Sequence, residues 1–168
     1  TYQKDDTATD PVSAMRDGTH YLIAEFDVRL NDVGELAEYK RIGADDEAVW
    51  QRVYAYAKCA KCTGWYNGQT YVDTLSKDAM KKFIDVTYVP YKNKVGADFG
   101  GVVPAIFTDE PQFIRIAYPA FAKNDGAVMP WTHGLDTIFK EKYGYSLADK
   151  LPELAWNFEG GKPSLAKY

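Results

Sequence analysis

Cysteine is scarce in this chain: its 168 residues hold two, and histidine is equally rare. Two thiols cannot build a disulfide framework. Zinc needs four ligands, and His20 and His133 stand at no finger spacing from Cys59-Ala60-Lys61-Cys62. An excess of positive charge is also missing. The 20 basic and 24 acidic side chains give a formal net charge of −4, which offers no electrostatic footprint for a phosphate backbone and argues against nucleic-acid binding. No apolar run approaches the roughly 20 residues that cross a bilayer, so no membrane association is expected. The start, Thr1-Tyr2-Gln3-Lys4-Asp5-Asp6, does not lead from positive charge into an apolar stretch and is not expected to be a signal peptide. Internal repeats and low-complexity tracts are lacking too.

What is present is apolar and aromatic. With 46% hydrophobic and 15% aromatic residues, the chain can build a core and is not disordered. Residues 1–18, with Asp10-Pro11 and Asp17-Gly18, read as a flexible lead-in. Residues 19–62 read as an antiparallel β-meander. Its strands run from His20 to Leu30, where alternation is imperfect, from Leu36 to Ile42, and from Val49 to Ala57, with Asn31-Asp32-Val33-Gly34 as the first turn.

The pattern changes in 63–168. Ser76-Lys77-Asp78 starts a helix whose apolar face holds Ala79, Met80, Phe83, Ile84, Thr87, Tyr88 and Tyr91, and Pro90 is expected to kink or end it. After the glycines at 96–101, Val102-Val103-Pro104-Ala105-Ile106-Phe107 is apolar without alternation, as in a parallel strand covered on both faces. Helix, glycine loop and buried strand together predict an α/β fold. A helix around Leu135, Ile138, Phe139 and Lys142 closes at Gly144, and Ser146-Leu147-Ala148-Asp149 opens another through Leu154. The residues from Gly160 to Tyr168 read as a connection, so the chain is expected to be a piece of a longer polypeptide. Any targeting signal would lie outside it, and no compartment is assigned.

Four segments carry candidate chemistry. Cys59 and Cys62 have CxxC spacing but trail a predicted strand instead of opening a helix, so an incidental pair competes with a redox one. In Thr108-Asp109-Glu110-Pro111, two carboxylates follow the predicted buried strand at its C-terminal end, where α/β folds place ligands. Neighbours on an extended backbone point apart. One acid can therefore face a pocket, with apolar walls raising its pKa as a general acid requires; the competing reading is a solvated acidic turn. Trp65, Tyr66, Asn67, Gln69, Tyr71 and Asp73 crowd one loop. Aromatic faces stack on sugar rings while amides and carboxylates satisfy hydroxyls, so this composition suits carbohydrate. A plain Asn67-Gly68 turn under a packed indole is the competing reading. In Pro130-Trp131-Thr132-His133, Trp131 could wall a sugar site, Thr132 reads as an N-cap, and His133 is either a base or, more simply, a surface residue.

Several of these strings resemble one family. They are Trp65-Tyr66-Asn67-Gly68-Gln69-Thr70-Tyr71-Val72-Asp73-Thr74-Leu75, Pro104-Ala105-Ile106-Phe107-Thr108-Asp109-Glu110-Pro111, Pro130-Trp131-Thr132 and Phe139-Lys140-Glu141-Lys142-Tyr143-Gly144-Tyr145. Over roughly residues 63–155 the chain resembles the large bacterial α-L-rhamnosidase-like glycoside hydrolases. The resemblance implies a segment of a (β/α)8 barrel, with the β-rich 19–62 as an insertion. It implies Glu110 as general acid or acid/base with Asp109 beside it, acting on plant or bacterial polysaccharide. His133 and Gly134 stand where members often carry an acid. Calcium assistance is implied for the whole enzyme by resemblance alone, and the sequence shows no calcium ligand set or other cofactor.

Glycoside hydrolysis needs two carboxylates across the scissile bond, and a barrel needs about 250 residues. The piece alone is therefore expected to be inactive, with the second carboxylate beyond Tyr168. The alternative is a non-catalytic carbohydrate-binding or scaffolding module using Trp65, Tyr66 and Trp131, and a third reading is a redox protein using Cys59 and Cys62. Unpaired strand edges in a partial barrel favour homodimerisation.

Overall fold

The computed structural model of the chain describes residues 2–3, 20–59, 62–109 and 128–160. Its strands are β1 (Tyr2–Gln3), β2 (His20–Leu30), β3 (Leu36–Ile42) and β4 (Gln51–Lys58), and its α-helices are α1 (Lys77–Val95), α2 (Leu135–Tyr143) and α3 (Leu151–Ala155). The chain divides into two compact units, Thr1–Cys59 with Arg115–Tyr168, and Ala60–Ile114.

In the first unit the strands pair antiparallel in the order β1-β4-β2-β3. The three long strands fall within two residues of where their β-formers place them. The imperfect alternation of β2 has a physical cause. Its pairing with β4 slips between Leu22 and Ala24, and one extra residue in a strand reverses which positions face inward. Apolar positions therefore run Tyr21 and Ile23 before the bulge, then Ala24, Phe26 and Val28 after it. The last three are buried with Leu36, Val53 and Ala55 against Leu151 and Ala155 of α3. Phe26, Val28, Leu36 and Val53 are fully buried, a contribution of about 1.5–3 kcal/mol each.

Polar anchors fix the loops of this sheet. The buried Asp27 carboxylate accepts the backbone N–H groups of Val49 and Trp50, each at 2.8 Å. Glu25 pairs with Arg52, which also donates to the carbonyls of Gly43 and Asp46. In the β2–β3 turn, Asn31 Oδ1 accepts from Val33 and Glu35, and Gly34 takes the φ of 80° that the reversal requires. Residues 157–160 return to this turn. The Leu36 N–H donates to the Asn157 carbonyl (2.7 Å), the Glu159 N–H donates to the Leu36 carbonyl (3.1 Å), and the Gly160 N–H donates to the Glu35 carboxylate (2.9 Å). The outer edge of β3 is thus closed at Leu36.

α2 ends where expected, at Gly144 with φ 81°. It begins later than expected: Gly134, not Thr132, is the N-cap, because the Thr132 carbonyl closes a turn with the Leu135 N–H (3.2 Å). Asp136 then accepts from the Ser146 hydroxyl (2.9 Å) and the Ala148 N–H (2.8 Å), and Ser146 Oγ accepts from the Asp149 N–H, as the capping pattern requires.

In the second unit Ser76 caps α1, its hydroxyl accepting from the Ala79 N–H at 3.2 Å. Pro90 neither ends nor interrupts this helix, which continues to Val95. Pro90 and Val86 are both exposed, so the Val86 carbonyl that loses its donor meets water instead of a dry interior.

The expected barrel segment is not formed. The only sheet among the described residues is antiparallel and comes from the meander, and the mix of structure is α plus β. The run 102–107 is no strand: Val102 is 88% and Phe107 86% exposed. Continuous apolarity suits a buried parallel strand only where neighbours supply backbone partners. Among the described residues the second unit has no named strand, and Val103 instead turns back on the end of α1 through bonds to Asp98 and Gly100.

Candidate functional site

Four of the expected sugar-contacting residues, Trp65, Tyr66, Asn67 and Gln69, lie on one closed loop of the second unit, and Tyr71 and Asp73 follow it. The Thr63 N–H donates to the Gln69 carbonyl (3.2 Å), the Gly68 N–H to the Thr63 carbonyl (2.9 Å) and the Gln69 N–H to the Tyr66 carbonyl (2.9 Å). Asn67 (φ 54°) and Gly68 (φ 76°) are both left-handed, which Asn and Gly adopt most readily. The Asn-Gly turn and the aromatic display are therefore one structure, not alternatives.

At the head of this loop the Trp65 side chain is unpacked, with 89% of the residue exposed. Tyr66 and Tyr71 pack ring to ring, centroids 5.2 Å apart and tilted by 54°. Asn67 and Gln69 are exposed beside them. Asp73 is drawn into the entry of α1, its Oδ1 accepting from the Leu75 N–H at 3.0 Å and its carbonyl from the Ser76 N–H.

The acid pair is differently placed. Asp109 is exposed at the end of an irregular stretch, and Glu110 lies outside the described residues. The buried strand that was to aim Glu110 into a pocket is not formed. Cys59 and Cys62 are exposed and free.

Trp131 belongs to the first unit. It packs against the core and donates its indole N–H to the Tyr21 hydroxyl at 3.1 Å. Exposed His133 meets the Tyr21 ring edge-on, centroids 6.2 Å apart at 76°. Tyr21 was not singled out in the sequence; its contact with Trp131 spans 110 positions, and nothing local announces it.

One partly buried polar cluster was also invisible. Tyr39 of β3 donates its hydroxyl hydrogen to Glu153 Oε1, and Lys150 Nζ donates to the same oxygen at 3.0 Å. Burial, followed by the hydrogen bond to Glu153, pushes the Tyr39 phenol up to about 12, and the bond to Glu153 raises Lys150 above its ordinary value. Glu153 Oε2 is buried without a partner. The i,i+3 spacing of Lys150 and Glu153 was legible; the tyrosine more than a hundred residues earlier was not.

Among the described residues no three acid, histidine or cysteine side chains gather as metal ligands. A calcium ion takes six to eight oxygens, several of them usually carboxylate, and no such carboxylate cluster occurs among the described residues. Comparison of the chain with protein-family models, with curated proteins and with solved structures finds no significant match.

Proposed function

We propose that the chain is a non-catalytic, carbohydrate-contacting segment of a larger saccharide-processing protein, with the 63–71 loop as its contact. The observation that supports this reading is the Trp65 side chain, exposed on a loop whose backbone is tied by its own hydrogen bonds. An indole left in water is costly unless something covers it, and a pyranose ring offers a flat C–H face of matching size. The exposed amides of Asn67 and Gln69 supply a donor and an acceptor each for neighbouring hydroxyls. Because the loop is already closed, little conformational freedom remains to be lost on binding.

The resemblance to α-L-rhamnosidase-like hydrolases makes rhamnose-containing oligosaccharides the first ligands to try. Calorimetric titration of the chain should give saturable binding, weakened about tenfold or more by Trp65→Ala. Equal binding by the wild type and Trp65→Ala, or none at millimolar sugar, would overturn the proposal. A glycosidase reading centred on Glu110 and Asp109 draws no support from the described residues, since the strand that motivated it is not formed.

A further inference from the structure

We infer that Tyr21, Trp131 and His133 form a second saccharide contact, on the sheet-bearing unit and independent of the Trp65 loop. The inference rests on the carbohydrate reading above. Three observations support it. The indole N–H of Trp131 is committed to the Tyr21 hydroxyl at 3.1 Å, which fixes the two rings relative to one another. Trp131 is seated on the core beside Met129, so the pair stands on packed structure. Tyr21 nonetheless remains 37% exposed, and His133, edge-on to it, is exposed as well.

The chemistry of this trio is that of a sugar contact. Having accepted the indole hydrogen, the Tyr21 hydroxyl retains its own hydrogen to donate. The His133 ring nitrogens make no hydrogen bond to a described residue and can supply a donor and an acceptor. An aromatic wall with polar atoms at its rim takes a ligand with an apolar face and peripheral hydroxyls. Among the described residues no carboxylate is bonded to the trio.

The four tryptophans, labelled with 5-fluorotryptophan and assigned by single Trp→Phe variants, give separate fluorine signals for Trp65 and Trp131. On titration with a rhamnose-containing tetrasaccharide, both signals should shift. The Trp131 shift should persist in Trp65→Ala. His133→Ala, at an exposed position, and Tyr21→Phe, which keeps the ring, should each raise the Kd read at Trp131 about fivefold while leaving that read at Trp65 unchanged. A Trp65 signal that moves while Trp131 stays still would overturn this inference and leave the loop contact standing. Stillness of both signals would overturn both. An unchanged Kd at Trp131 in His133→Ala and Tyr21→Phe would remove the trio from binding.

Discussion

Tyr39 donates its phenolic hydrogen to Glu153, 114 positions further along the chain, and so ties β3 to the buried face of α3. The lysine at 150 completes the cluster from the adjoining turn. Burial and then the bond to Glu153 favour neutral Tyr39, whose pKa rises from 10.0 to about 12, and the bond to Glu153 likewise raises Lys150 from 10.5. Both groups hold their protons more tightly folded than unfolded. The stabilisation from Tyr39 is complete below pH 10 and is lost as pH climbs towards 12, and that from Lys150 also falls in alkali. Allowing for partial solvent exposure, the loss attributable to Tyr39 is about 1 kcal/mol. Urea melts between pH 8 and 12 should show the decline, and Tyr39→Phe should flatten it. An identical slope in the variant would refute the assignment.

Asp27 is expected to be among the costliest acids to remove. Its two oxygens satisfy the N–H groups of Val49 and Trp50. Asp27→Ala leaves both part-buried bonds unmade and should cost about 1–3 kcal/mol, while Asp27→Asn keeps one acceptor and should cost about half as much. Denaturant midpoints that coincide for the two variants would show that the amide bonds are not what the carboxylate provides.

Trp65→Ala should separate binding from folding. The side chain is unpacked, so the thermal midpoint should move by no more than the equivalent of about 0.5 kcal/mol, although oligosaccharide binding falls. A large drop in midpoint would mean that the indole supports the loop instead of a ligand.

Val102→Ser and Phe107→Ser test the irregular run. Both side chains stand in solvent, and each substitution should change stability by less than about 0.5 kcal/mol. The same changes in a buried strand would cost about 2 kcal/mol or more. A large loss would restore the strand that the sequence pattern suggested.

Much of the fold was legible locally. The N-cap at Ser76, the helix stop at Gly144 and the Asn31 turn each depend on groups within a few residues, and each stands where its chemistry demands. Even the irregular phase of β2 was visible, since the step from Ile23 to Ala24 and Phe26 is what a bulge looks like in one dimension. Residues 102–107 misled because apolarity reports a tendency to be covered and says nothing about which strands will do the covering. The site divides in the same way. The aromatic and amide loop could be read from composition, because its residues are sequence neighbours. The partnerships of Tyr21 with Trp131 and of Tyr39 with Glu153 arise only when distant segments meet.

The return of residues 157–160 to the first hairpin sets an order of assembly. Leu36 finds both of its outer backbone partners, Asn157 and Glu159, only after more than a hundred further residues have been synthesised. Until then a nascent chain leaving the ribosome exposes that stretch of β3 as an open edge, and the core beneath it waits for α3. Closure of this unit therefore depends on contacts distant in sequence, the kind whose formation slows folding.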